Sequence, residues 1–108
     1  ELRTRHRGVD IAAGKGRPVR ACTAGTVALA RSDFLLHGKT VVIDHGWGVC
    51  SMYLHLDDVL VEEGRTVEKS QVIGVVGSTG AAIGPHLHWA VYVHGKALNP
   101  LAWLRMRE

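Results

Sequence analysis

Seven histidines occur in the chain, at positions 6, 37, 45, 55, 86, 88 and 94, and imidazole is both a metal ligand and the side chain that exchanges protons near neutral pH. Their spacing says more than their number. In Gly84-Pro85-His86-Leu87-His88-Trp89-Ala90-Val91-Tyr92-Val93, the β-rich residues after the proline predict a strand, whose alternate side chains share a face. His86, His88, Ala90 and Tyr92 then point one way, while Leu87, Trp89, Val91 and Val93 form an apolar set that belongs to the core. Two imidazoles are left projecting together from the other side. Such a pair repels itself when doubly protonated, which suits a metal or a shared proton; a pair of half-exposed strand histidines is the plainer alternative.

A second constellation, His6-Arg7-Gly8-Val9-Asp10, sets an imidazole and a carboxylate four residues apart across a glycine turn that leads into an apolar strand. By itself this could be a capping aspartate beside a surface histidine. Combined with a further imidazole from His86-Leu87-His88, it supplies the three-ligand shell of a catalytic zinc, with the fourth position left for water or substrate. A third stretch, Ser51-Met52-Tyr53-Leu54-His55-Leu56, alternates so that Ser51, Tyr53 and His55 are expected on one face and Met52, Leu54 and Leu56 on the other. That orientation gives His55 the aspect of a site residue, or of a polar residue at a strand end.

The elements that must position these groups read as all-β. Short Val-, Ile- and Thr-rich stretches are separated by glycines, of which there are 13. Strands are predicted at Val9–Ala12, Val19–Ala21, Gly25–Arg31, Thr40–His45, Val49–Leu54, Val72–Val76, His86–Val93 and Ala97–Leu98. Only the tail, Pro100–Met106, reads as a short helix, with Asn99 as its cap and Pro100 in its first turn. A weak internal similarity links Val19–Val27 with Val59–Val67, of the kind found in the sandwich-like barrels that carry biotin or lipoyl groups. Lys69 lacks the neighbours expected of a modified lysine in such a carrier.

With 108 residues and 46% apolar content, the chain suffices for one domain with its own core and one active site. No apolar run approaches the roughly 20 residues of a membrane-spanning helix. The amino end is charged and offers no signal peptide to read, and with His6 so near the start the chain is expected to be the C-terminal catalytic part of a longer protein. The net charge of +3 comes from scattered basic residues apart from Arg3, Arg5 and Arg7, without the interleaved aromatics of a nucleic-acid platform, so no nucleic-acid partner is expected. Cys22 and Cys50 are too few for a Cys-x-x-Cys zinc site; they are expected free and buried, with pairing in an oxidising compartment as the alternative.

Taken together, these motifs resemble the lysostaphin/LytM-type zinc endopeptidases of bacterial cell walls. The resemblance rests on His6-x-Gly-x-Asp10 followed by Ile11-Ala12-Ala13, on Gly38-x-Thr-Val-Val-Ile-Asp-His45-Gly46, on Tyr53-Leu54-His55-Leu56, and on Gly77-Ser78-Thr79-Gly80 leading to Gly84-Pro85-His86-Leu87-His88, with Asn99-Pro100 near the end. It covers nearly the whole chain in order. It implies an antiparallel, barrel-sandwich-like fold (a duplicated hybrid motif), one zinc per chain held by His6, Asp10 and His88, and non-ligand catalytic roles for His55 and His86. It further implies hydrolysis of stem or bridge peptides of peptidoglycan, a monomeric domain, and a place in the cell envelope. None of the five residues is missing, which argues against the branch that has lost ligands and activates other wall enzymes; a zinc-holding wall-binding or amidase-activating module is the competing reading. His37 and Cys50 are unusual at their positions, and the strands expected ahead of the first ligand look absent or trimmed. The glycine-rich turn Gly74–Gly84 and a long loop around Ser32–Gly38 are expected to border a substrate groove. His37, His45 and His94 read as structural or surface residues.

Overall fold

A computed structural model describes residues 2–5, 8–12, 14–34, 38–77 and 86–100, the backbone alone being described at 2–5, 8–10, 12, 32–34 and 86. Across these residues the chain is built of strands: β1 (Leu2–Arg5), β2 (Gly8–Ala12), β3 (Pro18–Arg20), β4 (Gly25–Phe34), β5 (Gly38–Gly46), β6 (Val49–Val59), β7 (Thr66–Val67), β8 (Val72–Val76), β9 (His86–Val93) and β10 (Lys96–Leu98). All pair antiparallel in one curled sheet of order β1-β2-β9-β6-β5-β4-β7, with β10 on β9 and β8 joining β3 to β6. The all-β expectation therefore holds, and β8 and β9 match their predicted bounds residue for residue. The expected tail helix reaches the described residues only at Pro100, and 101–108 lie outside them.

The organising strand is β6, which is long enough to serve two neighbours on one edge. Its first half pairs with β9 from Val49↔Val93 to Leu54↔His88, and its second half pairs with β8 from Leu56↔Val76 to Val59↔Gly74. β5 runs along its other edge. Apolar side chains from this three-way junction close the core, with Val41, Ile43, Leu56, Ile73 and Val91 all at 0% exposure. Gly74 sits in β8 because β6 comes so close: a β-carbon there would lie 2.7 Å from the Asp58 carbonyl oxygen. The turn expected over Gly74–Gly84 is thus strand up to Val76, and 78–85 lie outside the described residues.

Two other expectations change. β4 continues to Phe34, which pairs with Gly38, so the long loop expected at Ser32–Gly38 is strand at 32–34 and at 38, and 35–37 lie outside the described residues. A strand does precede His6: β1 pairs with β2 from Leu2↔Ile11 to Arg5↔Gly8. Its arginines hid it from a hydrophobic pattern, and charged residues are at home on a sheet edge. The similar stretches Val19–Val27 and Val59–Val67 end in strands that pair with each other, Gly25↔Val67 and Thr26↔Thr66.

Two tight hairpins cap one end of the sheet. Trp47-Gly48 joins β5 to β6 and His94-Gly95 joins β9 to β10, all four residues having positive φ (56, 74, 49 and 79°), as type I′ turns require. They meet, because the His94 ring packs on the Gly48 α-carbon where any β-carbon would collide, and the His94 amide donates to the Gly48 carbonyl at 2.7 Å. The structural reading of His94 is therefore right. For the core, Ile73→Ala is expected to lower unfolding free energy in urea by about 2–5 kcal/mol, the usual cost of deleting a buried aliphatic chain that neighbours cannot refill.

Candidate functional site

Cross-strand register assembles the site. Asp10 of β2 stands directly opposite His88 of β9, and His88 directly opposite Leu54 of β6, so that Arg3, Asp10, His88 and Leu54 form one row across four strands. Residues facing each other in this way project to the same side of the sheet, with β-carbons about 4.5–5.5 Å apart. The next row, Val9–Trp89–Tyr53, belongs to the opposite side, where Trp89 (6% exposed) and Tyr53 (2% exposed) lie in the core. The expected apolar face of β9 is therefore found, with His88 on the other side. His86 takes part through its backbone, paired with Ala12.

The face carrying His88 is not bare. Met52 stands opposite Ala90, and Leu54 opposite His88; Leu54 and Ala90 are both buried although they stand apart from the main core cluster. They form an apolar floor beside the histidine. Such a floor keeps water away from one side of a polar site and strengthens electrostatic interactions above it.

His55 reaches this row by a break in the strand pattern. Against β5, Lys39 pairs with Leu56 and Val41 with Tyr53, so three steps along β6 match two along β5. The extra residue is a β-bulge, and His55 adopts φ 63°, a left-handed conformation uncommon for a residue with a side chain. Strict alternation consequently fails here. Ser51 and Tyr53 are buried on the core side, and so is Leu56, whereas the expected grouping had placed Leu56 opposite them. The physical cause is that one inserted residue exchanges the two faces for everything beyond it. The result is that His55 stands beside β9, its ring centroid 6.4 Å from that of His88, with the planes inclined at 69°. A signal for this was present: under strict alternation, the large apolar ring of Tyr53 would fall on the polar face.

Of the five residues singled out in the sequence, His55 and His88 are juxtaposed as side chains, Asp10 and His86 are placed through the backbone register, and His6 lies outside the described residues. Among the described side chains no three His, Cys, Asp or Glu groups converge. His37 is likewise outside the described residues. Cys22 and Cys50 are free, as expected, though half-buried rather than fully buried. His45, expected to be structural, is the centre of a separate polar network.

The model of peptidase family M23 matches residues 4–100. Peptidoglycan DD-endopeptidase ShyA of Vibrio cholerae is 40% identical over 96 residues, covering 89% of this chain and 22% of ShyA. The murein hydrolase activator NlpD of Salmonella dublin is 35% identical over 102 residues, covering 94% of this chain and 27% of NlpD. Among solved structures, a putative M23 peptidase from Pseudomonas aeruginosa superposes with TM-score 0.90 at 39% identity, over 95% of this chain and 46% of that one. A zinc-containing peptidase from Vibrio cholerae gives 0.82 at 38% identity (86% and 28%). The catalytic domain of lysostaphin from Staphylococcus simulans gives 0.84 at 30% identity (93% and 79%). An antiparallel half-barrel is the scaffold these proteins share with this chain. The chain belongs to peptidase family M23. It spans about a fifth to a quarter of the curated relatives named here, at 22% and 27% of their lengths.

Proposed function

We propose that this chain is the catalytic domain of a zinc-dependent endopeptidase that hydrolyses peptide bonds of bacterial peptidoglycan, working in the cell envelope as part of a longer protein. The observation that carries the reading is the row Asp10–His88 with the His55 ring beside it, in a chain whose family match runs from residue 4 to residue 100. A carboxylate and an imidazole in directly opposed positions suit one divalent ion, and zinc favours such mixed oxygen and nitrogen donors. His6, Asp10 and His88 would hold it. Bound there, zinc supplies Lewis acidity toward a peptide carbonyl and makes water a better nucleophile near neutral pH.

The remaining steps fall to the chain's own groups. One of His55 and His86 donates an imidazole N–H to the carbonyl oxygen as negative charge grows on it. The other accepts a proton from the attacking water and passes it to the departing amine nitrogen. Leu54 and Ala90 keep solvent from the floor below. Incubation of the purified domain with defined muropeptides, analysed by mass spectrometry, is expected to give products in which one peptide bond has gained water, and none in the presence of a chelator. The likeness to a murein hydrolase activator supports a second reading, a module that stimulates a partner amidase. Intact muropeptides, together with a stimulated amidase, would establish that reading instead.

A further inference from the structure

Away from the Asp10–His88 row, a half-buried cysteine on the segment between β3 and β4 meets polar groups from β5 and β6. The Cys22 sulfur lies 3.8 Å from His45 Nε2, and His45 Nε2 lies 2.7 Å from Ser51 Oγ. The Ser51 and Tyr53 hydroxyl oxygens are 3.0 Å apart, and the Cys22 amide donates to the Tyr53 oxygen at 3.0 Å. On the far side of the ring, His45 Nδ1 donates to the Ala24 carbonyl at 2.8 Å. That last bond fixes the tautomer, because a carbonyl can only accept. Nε2 is therefore the nitrogen with the lone pair, approached by both Ser51 Oγ and the thiol.

We propose that Cys22 is a modification site, a thiol activated by His45 and oxidised to the sulfenic acid by hydroperoxides.

The hydrogen bonds support both states of the pair. With a neutral imidazole, Nε2 accepts from Ser51, and turning the Ser51 proton to the Tyr53 oxygen frees that lone pair for the thiol. When the thiol proton moves to Nε2, the new N–H faces Ser51 Oγ and the sulfur, Ser51 turns its proton to the Tyr53 oxygen, and the Tyr53 hydroxyl turns to the sulfur. Every donor is then used and the thiolate is surrounded by donors. The titration of the thiol agrees: burial raises it, but hydrogen bonds from His45, Tyr53 and Ser51 together with the His45 charge bring it below its ordinary value. Burial and the neighbouring Cys22 raise the Tyr53 hydroxyl, so Tyr53 keeps its proton to donate. Arg20, two residues before Cys22 at the end of β3, donates to the Ser70 carbonyl at 3.0 Å. Cys50 provides an internal contrast, since it is also half-buried while burial and then Asp44 push its thiol up.

In the reaction the Cys22 thiolate attacks one peroxide oxygen; the S–O bond forms as the O–O bond breaks. Sulfur loses two electrons and the peroxide gains them. The departing hydroxide takes the proton held by His45, giving water, sulfenic acid and a neutral imidazole.

The test is to treat the whole chain with dilute hydrogen peroxide in the presence of dimedone and to follow both cysteines by peptide mass spectrometry across pH. Cys22 is expected to acquire the adduct roughly tenfold faster than Cys50 near neutral pH, with its rate profile rising at lower pH. His45→Gln is expected to bring Cys22 down to the rate of Cys50, and Tyr53→Phe, which keeps the buried ring, to slow it severalfold. Equal rates and coincident pH profiles at the two cysteines of the unaltered protein would overturn the proposal, and so would a folded His45→Gln variant that labels like the parent.

Discussion

Asp10→Ala and His88→Ala are each expected to lower zinc retention roughly hundredfold or more and to take peptide hydrolysis below detection. Both residues would be direct ligands, and even residues that only orient ligands commonly cost 10–100-fold in metal affinity. Metal analysis after dialysis, alongside a wall-clearing assay, measures the two effects separately. The register explains why neither loss should be rescued nearby. Leu54, the other direct neighbour of His88, is a buried leucine with no donor to offer. If His86→Ala emptied the site while His88→Ala kept it filled, the roles of the two strand histidines would be the reverse of those proposed.

The second large effect is a separation of metal binding from turnover. His55→Asn and His86→Asn are expected to retain most of the zinc and lose about 10²–10⁴ in kcat, the usual contribution of a positioned acid or base. Asparagine is the informative replacement at position 55, because it tolerates the left-handed backbone found there and cannot exchange protons as imidazole does. An asparagine variant that kept full turnover would remove His55 from the chemistry. One that lost its zinc would make His55 a ligand or a structural support instead.

Much of the architecture was readable because alternation is a strong signal where one face is buried. The apolar side of His86–Val93 follows from it directly, while the bounds of β8 follow from its run of β-branched residues. Strands set by pairing partners rather than by their own residues were not readable. β7 has two residues, and β1 presents arginines that give no hydrophobic period. β6 ran five residues past its predicted end at Leu54 because the bulge at His55 interrupts the pattern before β8 takes over the pairing. The side of β9 that carries His88 was legible from Leu87-His88-Trp89, but the approach of His55 depends on the register of β6 between two partners, which a single strand's sequence does not encode. His45 shows the converse. Its place in the Gly38–Gly46 motif was visible, yet its contact with Cys22 joins residues 23 positions apart through folding alone.

The left-handed backbone at His55 also bears on how such a domain diverges. A residue with a β-carbon in that conformation carries an intrinsic penalty on the order of 1–3 kcal/mol, relieved by glycine and to a lesser degree by asparagine. Selection for stability alone would therefore drift toward glycine at this position, and an imidazole persists there only while something else requires it. Position 55 thus serves as a marker of selection in lineages descended from this scaffold. Retained histidine points to continuing use of the ring, and glycine points to a sheet kept for its shape.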